Sequence, residues 1–437
     1  MTDRVLALFL IIFGLASLVL TATATVHVAL ISFFSYSFLL SFLTQRASSF
    51  GPLSWFPIFF FAYSSFYTLN SIFFLGLDEG FSLSVYLGHL ALFAFSLPLL
   101  IFFFLKGMRL GFENKISSVP SYFFYFVWGV CIFVMFWVFL SGFKSKREVI
   151  DSFSGSATSY LMIFFVVLGV LSILRNVQLF SERKFFFDKI SIISVLILFL
   201  GYGFTGERDF VFRYIFMFVM ILFAYKWRFS VFYPVAIILL LGTLLPVTQA
   251  MKGAFIADQI DLSIVSQRSI FENEFSSAGR NLKYVLDSGL DKMNGLTYIW
   301  DIKRATPFIG ETQSTGRWFN EVLRSRYGDS GSSGWGFSLV AEGYMNFGPL
   351  GVFVQYLFIG FVSVLVFLLS RKGGLFLVFY LFYMASLIYV QRGDMANYIG
   401  FCFKLNLAVV IFICVGVKLG KIFWERKDER NYGRPGT

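Results

Sequence analysis

The stretch Leu83–Leu105, LSVYLGHLALFAFSLPLLIFFFL, contains no charged residue. As a helix rising 1.5 Å per residue it is long enough to cross roughly 30 Å of bilayer hydrocarbon. Runs like it recur along the whole chain, at roughly 5–21, 24–44, 54–76, 119–141, 158–175, 189–205, 209–225, 229–249, 337–369, 374–391 and 396–417. With 83–105 they predict about twelve spans. The composition agrees: 57% of the 437 residues are hydrophobic, 62 are Phe, and only 14% are charged, against about a quarter in soluble domains. A soluble enzyme is excluded, and the expected fold class is an all-α polytopic membrane protein.

The spans divide the chain into an N-terminal transmembrane bundle of about nine helices (1–249), a long loop (250–334), a C-terminal bundle of about three helices (335–417) and a basic tail (418–437). The first run, with Arg4 before it and Ala22 and Ala24 after it, imitates a secretory signal; the next span follows at once, so cleavage is not expected. A cytoplasmic N-terminus puts 19 of the 36 Lys and Arg inside, among them Arg46, Lys106, Arg175, Lys226, Arg371, Lys372 and six in the tail. The positive-inside rule therefore predicts both termini cytoplasmic and the long loop outside. That loop carries ten basic and ten acidic residues among aromatics such as Phe275, Tyr298, Trp300 and Trp318. It reads as a folded helical domain with amphipathic segments, for example 266–287, over the mouth of the bundle. The net charge of +11 is spread between spans, which explains it by topology and argues against nucleic acid.

Familiar catalytic sets are missing. With only His27 and His89, both in early spans, a histidine metal cluster or a Ser-His-Asp triad is not expected; each reads as a hydrogen-bonded bundle residue. Cys131, Cys402 and Cys414 fall in apolar runs and read as small hydrophobes. Gly201, Gly203 and Gly206 spell a dinucleotide fingerprint, but after a transmembrane helix instead of a strand. Arg392-Gly393-Asp394 spells an adhesion tripeptide in a tight turn between spans, without supporting context. No metal and no cofactor is expected.

The informative residues are charges where charges are costly. An ionised side chain at mid-span costs about 2.5–3.5 kcal/mol on insertion scales, so it faces an internal partner or a ligand. Arg208, Asp209, Arg213, Glu342, Arg392 and Asp394 all fall at or near the outer ends of spans. Asp209 and Arg213 share a helical face and read as a structural pair; Arg208, about 140° from Arg213 around the helix, reads as ligand-facing. Ser338, Glu342 and Asn346, at i, i+4 and i+8, form one polar stripe. Gly348-Pro349 breaks the long apolar stretch, because proline lacks the donor that continues a helix. A short outer helix followed by a span from about 350 is predicted.

Residues 334–351, GWGFSLVAEGYMNFGPLG, resemble the S-x-x-A-E-x-Y-x-N-F-G-x-x-G signature of O-antigen polymerases, the Wzy-type oligosaccharide repeat-unit polymerases. Gly206-Glu207-Arg208 and Gln391-Arg392-Gly393-Asp394 resemble the family's early and late arginine turns. The resemblance implies a GT-C-like glycosyltransferase of the bacterial inner (cytoplasmic) membrane, active on its periplasmic face. Such an enzyme transfers the growing glycan from undecaprenyl diphosphate onto a new undecaprenyl-diphosphate-linked repeat unit. A chain-length regulator and the flippase are the protein partners it implies. Arg208, Arg392 and Glu342 are the expected catalytic residues: the arginines on the leaving diphosphate, Glu342 on the acceptor hydroxyl. Arg280, Arg304 and Arg317 from the loop, with Arg213, Ser338, Asn346 and Asp394, complete the expected substrate-binding set. Two rival functions fit less well. A lipid-linked oligosaccharide flippase needs no large outer domain and is expected to show internal repeats, and the ligase of the same superfamily uses a loop histidine that this loop lacks.

Overall fold

The computed structural model describes residues 3–45, 48, 50–76, 80–106, 120–142, 161–181, 188–205, 209–225, 230, 232–238, 271, 274–306, 313–323 and 336–418. Among them all regular structure is helical. In chain order the helices are α1 (Asp3–Thr23), α2 (Val26–Gln45), α3 (Pro52–Asn70, extended by a π turn Ser71–Leu75), α4 (Phe81–Lys106), α5 (Ser121–Leu140), α6 (Ile163–Ser181), α7 (Lys189–Thr205) and α8 (Asp209–Tyr225). Then come α9 (Glu274–Asp287), α10 (Leu296–Ala305), α11 (Thr315–Trp318), α12 (Leu339–Ser370), α13 (Gly374–Tyr389) and α14, which starts as Met395–Ile399, passes through a π turn Gly400–Leu405 and runs on to Lys418.

Eight of the described helices are long and apolar enough to cross a membrane. Shorter apolar helices over Ile163–Leu179, Lys189–Tyr202 and Phe210–Leu222 occupy three more of the expected runs. The run at 229–249 shows helix over 232–238; its residues 229, 231 and 239–249 lie outside the described residues, as do 251–270, 324–335 and the tail from 419. The protein is a multi-pass membrane protein of the all-α class.

Apolar side chains gain nothing by leaving lipid for each other, so close backbone approach has to hold such a bundle together. The glycines serve that purpose. A Cβ on Gly360 of α12 would run into the Phe95 carbonyl of α4, and one on Gly14 of α1 would stand 2.8 Å from Tyr36 and Phe93. Aromatic rings fill the space that remains, with Phe56 and Phe95 centred 4.1 Å apart. Phe133, Phe136 and Phe139 of α5 are more than half exposed, as lipid-facing residues are. His89 is paired as a buried polar group should be: it is wholly buried, with Nδ1 2.7 Å from Thr21 Oγ1 and Nε2 3.4 Å from Ser17 Oγ. His27, by contrast, is exposed, so the expectation of a bundle hydrogen bond holds for His89 alone.

Helix direction sets two ends. At one, Tyr380 donates to the Phe50 carbonyl (2.6 Å). At the other, Phe337 N donates to the Arg392 carbonyl (2.7 Å), and the segment between α8 and α12 docks there. Its amphipathic helix α9 covers Glu274–Asp287 of the expected 266–287 segment, whose residues 266–270, 272 and 273 lie outside the described residues. α9 lies along α3, where Phe275 meets the Tyr63 ring at 4.9 Å and Gly279 lets the backbones approach.

Gly360→Ala is expected to destabilise the purified protein by about 1–3 kcal/mol through overpacking, seen as a lower unfolding temperature. Gly129→Ala, whose added methyl would meet nothing within 4 Å, is expected to show no such loss.

Candidate functional site

The predicted break in α12 is present. Phe347 (φ −137°, ψ 22°) and Gly348 (φ 65°, ψ −149°) leave helical geometry, and Gly348 supplies the positive φ that a side chain would resist. Before the break runs a short helix capped by Ser338, whose hydroxyl accepts from Ala341 N (3.4 Å). Gly343 and Gly351 face each other across the kink with no room for a Cβ on either. The polar stripe Ser338–Glu342–Asn346 is thereby turned toward α10 and α11, and all three residues are buried.

Glu342 sits at the centre. Its Oε2 accepts from Met395 N (2.7 Å), and its Oε1 from the hydroxyls of Thr297 (3.3 Å) and Thr315 (3.4 Å). Two further carboxylates complete the knot. Asp301 of α10 accepts from Thr315 N (2.9 Å) and Ala396 N (3.1 Å). Asp394 accepts from Gly316 N (3.0 Å), Asn397 N (2.9 Å) and Asn397 Nδ2 (2.7 Å). Three acids therefore cap the starts of α11 and α14 together, where unpaired N–H groups and the helix dipole favour negative charge. Asn346 ties in the turn before α10: its Oδ1 accepts from Gly295 N (2.9 Å), and its Nδ2 donates to Thr297 Oγ1 (2.6 Å) and the Glu342 carbonyl (2.9 Å).

Burial, then the charge of Asp394, raises the Asp301 pKa to about 6, against the opposing pull of the Thr315 and Ala396 amides and a hydrogen bond from Glu342. A hydrogen bond between two carboxyls requires a proton between them. Among the described residues no group of three or more His, Cys, Asp and Glu side chains is arranged to hold a metal ion.

The arginines fall into two sets. Arg213, only 2% exposed, packs its guanidinium against Phe401 (4.5 Å to the ring centre), Phe382 (5.4 Å) and Tyr389 (5.5 Å). Arg392 stacks on the same Tyr389 ring at 4.5 Å and donates to its hydroxyl. The loop arginines are dispersed. Arg280 is half-buried on α9, next to Asn281, whose amide reaches the Gly336 and Phe337 carbonyls. Arg304 is exposed and donates to Ser314; Arg317 is exposed and pairs with Glu321 at 2.8 Å. Arg208, with Gly206 and Glu207, lies outside the described residues, and so does the Asp209 side chain on which the expected pairing with Arg213 depends.

The structure thus joins Glu342, Asn346 and Asp394 in one knot, with Ser338 capping the helix that carries the first two, and Arg213 and Arg392 around one ring. Sequence reasoning missed Asp301, Thr297, Thr315 and Tyr389. Asp301 carried a signal, as an acid among apolar and aromatic neighbours in LTYIWDI (296–302); Tyr389 carried none. Two apparent motifs dissolve. Asp394 of the Arg-Gly-Asp tripeptide is buried and capping α14, and Gly201 sits in α7 where Phe165 packs against it. Beside the knot a cavity of about 690 Å³ opens, walled by Ile302 of α10, Phe347, Val354 and Phe358 of α12, and Ile399 and Phe403 of α14.

No protein-family model, curated protein or solved structure matches the chain.

An acid whose folded-state pKa lies above its unfolded value contributes stability that is fully present below the unfolded pKa and is lost as pH rises through the folded one. For Asp301 the window runs from its ordinary 3.8 to about 6. Unfolding temperature is expected to fall across that window, and Asp301→Asn to flatten the slope. Asn346→Ala leaves the Gly295 amide and the Thr297 hydroxyl without these partners, at about 1–3 kcal/mol for each group left unsatisfied. Faster proteolytic cutting near residue 295 of the folded protein is the expected sign.

Proposed function

We propose that the protein is an oligosaccharide repeat-unit polymerase of the bacterial inner membrane, GT-C-like, with about twelve spans, both termini cytoplasmic and the outer segment periplasmic. The observation that carries this reading is the motif helix itself. Its Glu342 and Asn346 tie Gly295, Thr297 and Thr315 of the outer segment to the bundle, at the same end as Arg213 and Arg392. A transferase acting on a lipid-linked glycan needs that meeting of lipid-side cations with an outward acid.

In the proposed reaction the acceptor hydroxyl oxygen bonds to the anomeric carbon of the donor glycan. The bond from that carbon to the lipid diphosphate breaks, and the hydroxyl proton passes to a base. Negative charge grows on the departing diphosphate, and preorganised guanidinium groups lower the barrier by meeting it. Arg208 and Arg392 have that role, and Arg213, Arg280, Arg304 and Arg317 assist binding. Glu342 aligns or deprotonates the acceptor hydroxyl, with Asn346, Ser338 and Asp394 holding the segment around it. Because Glu342 is enclosed by Thr297, Thr315 and Met395, its use as a base requires the 296–318 segment to move aside. The apolar cavity suits a hydrocarbon chain such as the lipid's. The partners of this reading are donor and acceptor lipid-linked oligosaccharides, a chain-length regulator and the flippase.

Deleting the gene is expected to collapse a surface-glycolipid ladder to one repeat unit on its lipid carrier. Loss of every attached unit points instead to a flippase or a ligase. Glu342→Gln, Arg208→Ala and Arg392→Ala are each expected to lower polymerisation in isolated membranes at least about tenfold. Full activity of the first two variants removes the assigned roles.

A further inference from the structure

Leu350, Val354, Phe358, Phe361, Leu365 and Leu369 lie on one side of α12 at helical spacing, and all are exposed, the pattern of a face turned to lipid. Leu369 follows Leu350 by nineteen residues, roughly 28 Å at 1.5 Å per residue, against about 30 Å of hydrocarbon in a bilayer. Leu350 therefore marks one edge of the hydrocarbon, and Arg371 and Lys372 follow the other. The short helix α10 lies at the first edge. Its Tyr298 hydroxyl donates to Gln355 Oε1 (2.6 Å), five residues further into the span than Leu350, or roughly 7.5 Å. The Tyr298 ring meets that of Phe347 at 6.5 Å.

For a helix in water, α10 is inside out. Its polar side chains Thr297 and Asp301, at i and i+4, are the buried ones, held in the Glu342 knot. Its large aliphatic side chains Leu296, Ile299 and Ile302, at i, i+3 and i+6, are exposed, the last two by more than half. A water-facing helix turns the opposite way. Ile302 also walls the apolar cavity with Phe347, Val354 and Phe358 of α12, so the exposed apolar surface of α10 continues the lipid-facing side of α12. The exposed charges over 291–306 are Asp291, Lys292, Lys303 and Arg304, a positive balance, with Trp300 half-buried among them. Cations and a tryptophan beside an apolar stripe are the composition that seats a helix at the headgroup boundary. Lys303 falls between Ile299 and Leu296 around the helix, where a lysine stem lies along apolar surface while its ammonium stays at the phosphates.

We infer that α10 is an interfacial helix: Leu296, Ile299 and Ile302 dip into the lipid leaflet on that side of the membrane, and Lys303 reaches its headgroup phosphates. The occupant of this face is the bilayer itself, because the face joins surface that already meets lipid and carries cations at the level of the phosphates. α10 is thereby held from two sides, by lipid on one and by Glu342 on the other. Lipid packing thus helps to keep Thr297 and Asp301 in the knot. No sugar, diphosphate or transfer step enters, so the inference stands apart from the polymerase reading.

The test places a fluorophore on Ile299→Cys and, separately, on Ile302→Cys of the full chain in nanodiscs containing phosphatidylglycerol. Cys414→Ser removes the half-buried native thiol, and Cys131 and Cys402 are buried. Quenching by lipids spin-labelled at two depths is expected to put both fluorophores about 5–10 Å below the phosphates. Aqueous iodide is expected to quench neither. Phe358→Cys, labelled alike, sets the lipid limit, and the free fluorophore sets the aqueous one. Adding Ile299→Asp is expected to move the label on Ile302→Cys outward and to open it to iodide. Adding Lys303→Gln is expected to make the label on Ile299→Cys shallower, and an unchanged depth overturns the headgroup contact. Iodide quenching of both labels at the aqueous limit overturns the inference, because the face then meets water. Shielding of both from iodide and lipid quenchers alike overturns it too, because protein then covers the face. Ile302 also walls the cavity; where its variant melts early, Ile299→Cys carries the test alone.

Discussion

The hydrogen bond from Met395 N to the Glu342 carboxyl is where the segment carrying α10 and α11, the broken helix and α14 become one object. A carboxyl this deeply buried is tolerated only with its lone pairs engaged, since an unsatisfied buried charge costs several kcal/mol. Glu342 meets that demand with one backbone N–H at the start of α14 and two threonine hydroxyls from the outer segment. Every partner comes from a different stretch of chain. Satisfying one side chain therefore fixes where α14 begins, how α10 lies, and how the 313–318 turn returns. Asp301 and Asp394 repeat the logic on neighbouring N–H groups. The three acids are held by helix starts and hydroxyls where ion pairs would be the more familiar solution.

The cations are handled by different physics two residues away. Arg392 and Asp394 flank Gly393, yet one turns to the Tyr389 ring while the other caps α14. For Arg213, one contact with a desolvated ring is worth up to about 2 kcal/mol, and each orphaned donor costs about 1–3 kcal/mol. Its ring contacts roughly offset the two donors that have no partner among the described residues and leave little against the expense of placing arginine near a span's end. An arginine kept on such terms contributes little to stability.

Periodicity and composition displayed the bundle in advance. Long apolar runs marked the spans, and Gly348-Pro349 marked the break, because proline lacks the backbone donor and glycine tolerates the positive φ wherever they occur. The stripe Ser338–Glu342–Asn346 was legible for the same reason: helical spacing alone puts its members on one face. What faced the stripe was not legible. Asp301 is far from Glu342 in sequence, and no local rule pairs an acid with an amide across that distance. Tyr389 looked like one more aromatic in an aromatic chain. Local chemistry writes helices and breaks into the sequence, whereas the partners across a gap are decided by packing.

The same distinction explains where the cavity lies. α12 departs from helical geometry at Phe347–Gly348, and α14 widens into a π turn at Gly400–Leu405. Such departures disturb the regular seam between neighbouring helices, and π turns occur often at functional sites. Here both fall on helices that wall one opening, with Phe347 on one side and Phe403 on the other. The kink is also what turns Glu342 toward α10 and α11, so one irregularity in α12 both buries the acid and helps open an apolar space beside it. Straightening α12, for instance by removing Pro349 and the Gly348 turn, is therefore predicted to disturb the knot and the cavity together, since neither has an independent origin in the fold.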